Sequence, residues 1–98
     1  EGLTLEDIIS QHEAVSEAAA IGIPDEKWGE RPMVMVVVKD DYKGKVSEDE
    51  LKDFFTKFVD SGEIPKYGVP NRVQIVDEIP KTSVGKINKK EIRSQVTS

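Results

Sequence analysis

Residues 80–86 read PKTSVGK and bring two lysines, two hydroxyls and a glycine together within seven positions. Gly85 can take a positive φ that a β-branched residue resists, so a tight turn is allowed immediately before Lys86. Lys86 is a compact point charge with three donors, suited to phosphate oxygens or to a carboxylate. Thr82 and Ser83 add hydroxyl donors to the same loop. A helix is expected to begin just beyond, and the free N–H groups at its start favour an anion in the same place. The chemistry on offer is the binding of a small anion.

A nucleotide-binding P-loop, G-x-x-x-x-G-K-[ST], is the obvious competitor, and the spacing rejects it. Pro80 stands five residues before Gly85, and Ile87 follows the lysine where Ser or Thr is needed. The element order, read without a parallel β-α-β run, points the same way. The plainer reading of the lysines is a solvated basic helix end. Charge is distributed to fit either. Residues 1–79 carry nine basic and eighteen acidic side chains, whereas residues 80–98 carry Lys81, Lys86, Lys89, Lys90 and Arg93 against Glu91 alone. An acidic body with one basic end lacks the broad basic face that nucleic acid requires.

At 98 residues the chain is expected to form one domain, burying about 60–65% of its unfolded surface. Its 37% hydrophobic and 34% charged content fits a globular chain better than a disordered one. No apolar run approaches the roughly 18 residues of a membrane span, and no signal peptide is visible, so a cytoplasmic location is expected. The absence of cysteine excludes disulfides, thiolate metal sites and cysteine nucleophiles. A single histidine, His12, excludes multi-histidine metal patterns. The first residue is Glu1 and not Met, which suggests a piece of a longer protein.

The elements that must position the loop follow from periodicity. In TLEDIISQHEAV, Leu5, Ile8, Ile9 and His12 recur at helical spacing behind Thr4 as a cap, with His12 at the edge of the stripe. AAAIGI, residues 18–23, and MVMVVV, residues 33–38, read as strands on either side of a breaker-rich turn; the second is apolar throughout, as for a strand covered on both faces. Ser47 and Glu50 form a capping box for a helix whose face is Leu51, Phe54, Phe55, Phe58 and Val59. VQIVDEI, residues 73–79, reads as a third strand ended by Pro80. A last helix is expected from about Lys89 to Val96, capped by Asn88. The order helix, strand, strand, helix, strand, helix predicts an α+β fold with a three-stranded sheet packed by helices.

The stretch IPKTSVGKINKKEIR resembles the last signature motif, P-K-T-x-x-G-K-x-x-(K/R), of the adenylate-forming enzymes, which include acyl-CoA synthetases, luciferases and peptide-synthetase adenylation domains. Pro80, Lys81, Thr82, Gly85 and Lys86 match at the right spacing. Residues 3–38 are similar to the helix and two strands that open the small C-terminal domain of these enzymes, and Leu5 and Glu6 resemble the end of the motif before that helix. The Lys81–Thr82 pair is closer to acyl- or aryl-CoA synthetases than to the Leu-Thr-Pro-Asn-Gly-Lys form of peptide synthetases. KWGERP, from Lys27 to Pro32, resembles fatty acyl-CoA synthetases in particular.

The resemblance implies that residues 1–98 are a single mobile C-terminal domain, with an N-terminal ATP- and acyl-binding domain outside this chain. It implies two half-reactions: a carboxylate attacks the α-phosphate of Mg-ATP to give an acyl-adenylate, and the thiol of CoA then displaces AMP. The lysine matching Lys86 serves the first step, with Thr82, Ser83 and Gly85 forming its loop at the nucleotide. Trp28, Arg31 and Lys66 are candidates to meet CoA in the second. Mg2+ would arrive with ATP on the larger domain, and the isolated chain is expected to be inactive. Two alternatives stay open on the residues alone: a free-standing anion-binding module, and an aryl- or acetyl-type acid in place of a fatty acid.

Overall fold

The computed structural model describes residues 4–27, 29–62, 64 and 68–97. Helix α1 spans Leu5–Ile9, strand β1 Val15–Asp25, strand β2 Gly29–Val38, helix α2 Glu48–Asp60, strand β3 Arg72–Val76 and helix α3 Lys89–Thr97, with a short 3-10 turn at Asp40–Tyr42. The sheet order is β1-β2-β3. β1 and β2 run antiparallel, from Val15 opposite Val38 to Asp25 opposite Gly29. β3 lies parallel to β2, with Met33 opposite Arg72 and Val37 opposite Val76.

The continuous apolar run of β2 is explained by its central position, because helices cover both faces of the sheet. Val34, Val36 and Val38 point into one core with Ile8 and Ile9 of α1, Leu51 and Phe55 of α2, and Val73 of β3. Met33, Met35 and Val37 point into a second core with Ala19, Ile21, Ile79 and Ile92 of α3. The period-two alternation of side chains along one strand thus feeds two cores.

Local signals set the helix starts as expected. Thr4 caps α1 in a capping box with Asp7, and Ser47 caps α2 with Glu50. Leu51 and Phe55 are fully buried on α2, while Phe54, Phe58 and Val59 pack at the rim of the same core. On each edge of the sheet one strand N–H is taken by a carboxylate from a helix start. Glu6 Oε2 accepts the Ala20 N–H of β1 at 2.7 Å, and Glu48 Oε2 accepts the Ile75 N–H of β3 at 2.8 Å. Exposed edge donors are thereby withdrawn from pairing with another chain.

Four expectations are corrected. α1 stops at Ile9 and does not carry through His12. The chain leaves the helix in successive tight turns, and His12 Nδ1 accepts the Ala14 N–H at 3.1 Å, which steers Ala14 and Val15 into the first core. β3 ends at Val76, close to where β2 runs out of partners, so Pro80 does not terminate it. Both strands of the first pair are also longer than their apolar runs. Finally, β2-α2-β3 is a parallel crossover, so the element order does not exclude a P-loop. The spacing around Lys86 still does.

Candidate functional site

Residues 80–88 form a small arch between the second core and α3. Its feet are fixed: Ile79 is buried before it and Ile87 packs against the same core after it. Pro80 C=O accepts the Asn88 N–H at 2.8 Å, and Lys81 pairs with Ile87 in an isolated antiparallel bridge. Inside that bridge the Thr82 N–H donates to Lys86 C=O at 2.7 Å, and the Gly85 N–H donates to Thr82 C=O at 2.9 Å. The Thr82 hydroxyl oxygen also accepts the Lys86 N–H at 3.2 Å. Gly85 sits at φ 84°, the left-handed conformation that closes a short hairpin of this kind.

The arch therefore holds the Lys86 backbone through both its polar groups, each bonded to Thr82. The side chains of Ser83 and Lys86 are exposed, and Val84 at the tip is 77% exposed. Thr82 spends its oxygen on the Lys86 amide, but its hydroxyl proton can still rotate toward a ligand. Beyond the arch, Asn88 caps α3 by accepting the Glu91 N–H at 3.1 Å. One of the helix-start donors expected to face an anion is thus already satisfied by the cap.

The basic cluster divides by partner. Lys81 Nζ lies 2.8 Å from Glu17 Oε1, and Lys89 Nζ lies 3.1 Å from Glu6 Oε2. Arg93 Nε donates to Gly22 C=O at 3.1 Å. Among the described residues Lys86 meets no carboxylate, although both lysine-bearing stems around it do. Its side chain is exposed to solvent. Of the two acidic partners, Glu17 was not singled out by sequence, and Glu6 only as part of the motif before α1, not as a partner of a lysine. Neither lies near the lysines in the chain, and only the folded sheet brings them together.

Of the residues considered for CoA, Trp28 and Lys66 lie outside the described residues. Arg31 is half-buried on β2, opposite Ile23, and lines a shallow cleft of about 260 Å³ with Ala20, Ile21, Gly22, Glu30 and Pro32. Arg93 reaches the carbonyl of Gly22, which also lines the cleft. Among the described residues no group of three or more His, Cys, Asp or Glu could hold a metal ion, and no helix is long and apolar enough to cross a membrane.

The model of the AMP-binding enzyme C-terminal domain matches residues 4–86, and the chain belongs to that family. It is 39% identical over 89 residues to probable acyl-activating enzyme 6 of Arabidopsis thaliana, covering 91% of this chain and 15% of that protein. It is 40% identical over 91 residues to a 3-methylmercaptopropionyl-CoA ligase of Ruegeria lacuscaerulensis, covering 93% of this chain and 16% of that protein. The fold superposes on a Mycobacterium tuberculosis fatty acyl CoA synthetase with a TM-score of 0.78 and 33% identity, covering 96% of this chain and 17% of that one. The chain thus spans roughly a sixth of the length of the proteins it matches.

Proposed function

We propose that this chain is the mobile C-terminal domain of an ATP-dependent, AMP-forming acyl-CoA ligase, and that Lys86 is its adenylation lysine. The observation that carries the reading is the Lys86 arch: a hydrogen-bonded, left-handed-glycine turn presenting one ammonium without a carboxylate partner among the described residues. In the first half-reaction a carboxylate oxygen attacks the α-phosphate of ATP, forming the acyl–phosphate bond as the bond to pyrophosphate breaks. Two anions meet in that step, and charge develops on the phosphate oxygens. A fixed cation at the meeting point offsets the repulsion and stabilises the transition state more than the separated reactants. Thr82, Ser83 and Gly85 shape the loop around the adenylate.

In the second half-reaction the CoA thiolate attacks the acyl carbon and AMP leaves. That step uses a different orientation of the small domain over its larger partner, a hinge motion that assembles each constellation in turn. The cleft beside Arg31 supports a CoA contact there, because a guanidinium can hold phosphate oxygens in a fork. Mg2+ would accompany ATP on the larger domain. A fatty acid is the proposed substrate, supported by the KWGERP stretch and by the fatty acyl CoA synthetase among the structural matches. The cytoplasm is the proposed location.

The test uses the whole protein carrying Lys86→Ala and measures the half-reactions separately. ATP–pyrophosphate exchange with a fatty acid should fall about a hundred- to thousandfold, the scale of losing one positioned charge contact. Thioester formation from preformed acyl-adenylate and CoA should persist. Wild-type rates in both assays would reduce the arch to a well-made turn and overturn the reading. Exchange with short or aryl acids but not with fatty acids would replace the substrate and keep the mechanism.

A further inference from the structure

Strand β1 contains an irregularity whose position matters for the arch. Val15 pairs with Val38, but the next partner of Val37 is Glu17, so the register shifts between Val15 and Glu17. One extra residue in a strand reverses which face the following side chains take. Val15 accordingly packs in the first core, whereas Ala19 and Ile21 pack in the second. Glu17 is in phase with Ala19 and Ile21 and so lies on the α3 side of the sheet, where it meets Lys81 at 2.8 Å. With unbroken register Glu17 would have shared the face of Val15, away from the arch.

From this we infer that Glu17 is a positioning residue for Lys86, acting through Lys81. The inference rests on the assignment of Lys86 to adenylation and deepens it. Lys81 stands at the foot of the arch, in the bridge to Ile87, and is followed directly by Thr82. Thr82 makes all three hydrogen bonds that hold the turn: to Lys86 C=O, to the Gly85 N–H and to the Lys86 N–H. The ion pair therefore fixes the residue from which the turn hangs. It also occupies Lys81, which would otherwise be a second cation competing for the anion that Lys86 is placed to receive.

The pair is too exposed to be a major source of stability. Its side chains are 37% and 39% exposed, and ion pairs of that kind contribute little to folding. Reactive geometry is more sensitive, since a misplacement of about 1 Å can cost about a hundredfold in rate. Glu6 forms a second tether through Lys89, but it also accepts the Ala20 N–H, so its removal would disturb the sheet edge as well. Glu17 is the cleaner probe.

The experiment compares, in the whole protein, Glu17→Gln, Lys81→Met, the double variant Glu17→Gln with Lys81→Met, Lys81→Arg, and Lys86→Ala as a reference. ATP–pyrophosphate exchange, thioester formation from preformed adenylate, and Tm are measured for each. Glu17→Gln and Lys81→Met should each lower the kcat of exchange about tenfold, with the KM for ATP changed by no more than about twofold. The double variant should fall no further than either single, because both act through one contact. Lys81→Arg, which keeps the ion pair, should retain wild-type exchange, and thioester formation should be unchanged throughout.

Loss in Lys81→Met without loss in Glu17→Gln would overturn the inference by making Lys81 itself the anion contact. Parallel loss of both half-reactions with a lowered Tm would also overturn it, leaving only a structural role. If Lys86→Ala abolishes exchange while both single variants match wild type, the positioning role fails and the Lys86 assignment stands. If Lys86→Ala is itself without effect, the underlying assignment fails and the inference falls with it.

Discussion

Replacing Gly85 with alanine separates the stability of the arch from its use. Gly85 lies at φ 84°, and a Cβ built there meets nothing within 4 Å. Any penalty is therefore conformational and not steric. An L-residue in the left-handed region costs about 1–2 kcal/mol. The lower entropy of alanine in the unfolded chain returns about 0.4–1 kcal/mol. The net loss is about 1 kcal/mol, which lowers the Tm of the transition that unfolds this domain. The turn has another way to relax, by swinging residue 85 to negative φ. That would break its N–H bond to Thr82 C=O and pull the Lys86 N–H from the Thr82 hydroxyl, which now stand at 2.9 and 3.2 Å. The ammonium would then leave its position.

Gly62 supplies the control. It sits at φ 82° just beyond α2, also with nothing within 4 Å of a built Cβ. Gly62→Ala should lower Tm by a similar amount and leave adenylation unchanged. Gly85→Ala should lower Tm comparably and also slow ATP–pyrophosphate exchange about tenfold or more, with the thioester half-reaction spared. Calorimetry and the two half-reaction assays on the whole protein read these effects separately. Equal exchange rates in the two variants would refute the claim that the hydrogen-bonded turn positions Lys86.

Two further outcomes follow from polar groups away from the arch. Gln74 lies opposite Met35 in the sheet, and its Oε1 is buried without a hydrogen-bond partner among the described residues, so Gln74→Met should raise stability by about 1 kcal/mol in thermal unfolding; a lowered Tm would show that the amide is satisfied in solution. The Tyr42 phenol is pushed above its ordinary pKa of 10.0, first by the charge of Glu13, then by burial and by its hydrogen bond to Glu13, with Asp41 adding less. Because the fold favours the neutral phenol, this contribution to stability is fully present below the unfolded pKa and is lost as pH rises through the folded one. Glu13→Gln should move the Tyr42 phenolate transition to lower pH in an absorbance titration, and an unchanged midpoint would remove Glu13 as the cause.

What the sequence determined by itself lies in interactions that span a few residues. Thr4, Ser47 with Glu50, and Asn88 cap their helices as read, because a cap needs only a side chain and an amide two or three positions away. The apolar run of β2 announced a strand covered on both faces, and Gly85 before Lys86 announced the left-handed turn. The same local logic failed at His12, where the chain leaves α1 at Ile9 in tight turns and the His12 side chain accepts the Ala14 N–H beyond the helix. Tertiary structure decided the rest: that β3 joins β2 in parallel, that a one-residue shift turns Glu17 toward α3, and that Lys81 and Lys89 find carboxylates while Lys86 meets none among the described residues. Register and long-range pairing depend on the closure of whole segments and on which faces can be buried together. A residue's immediate neighbours carry no record of either.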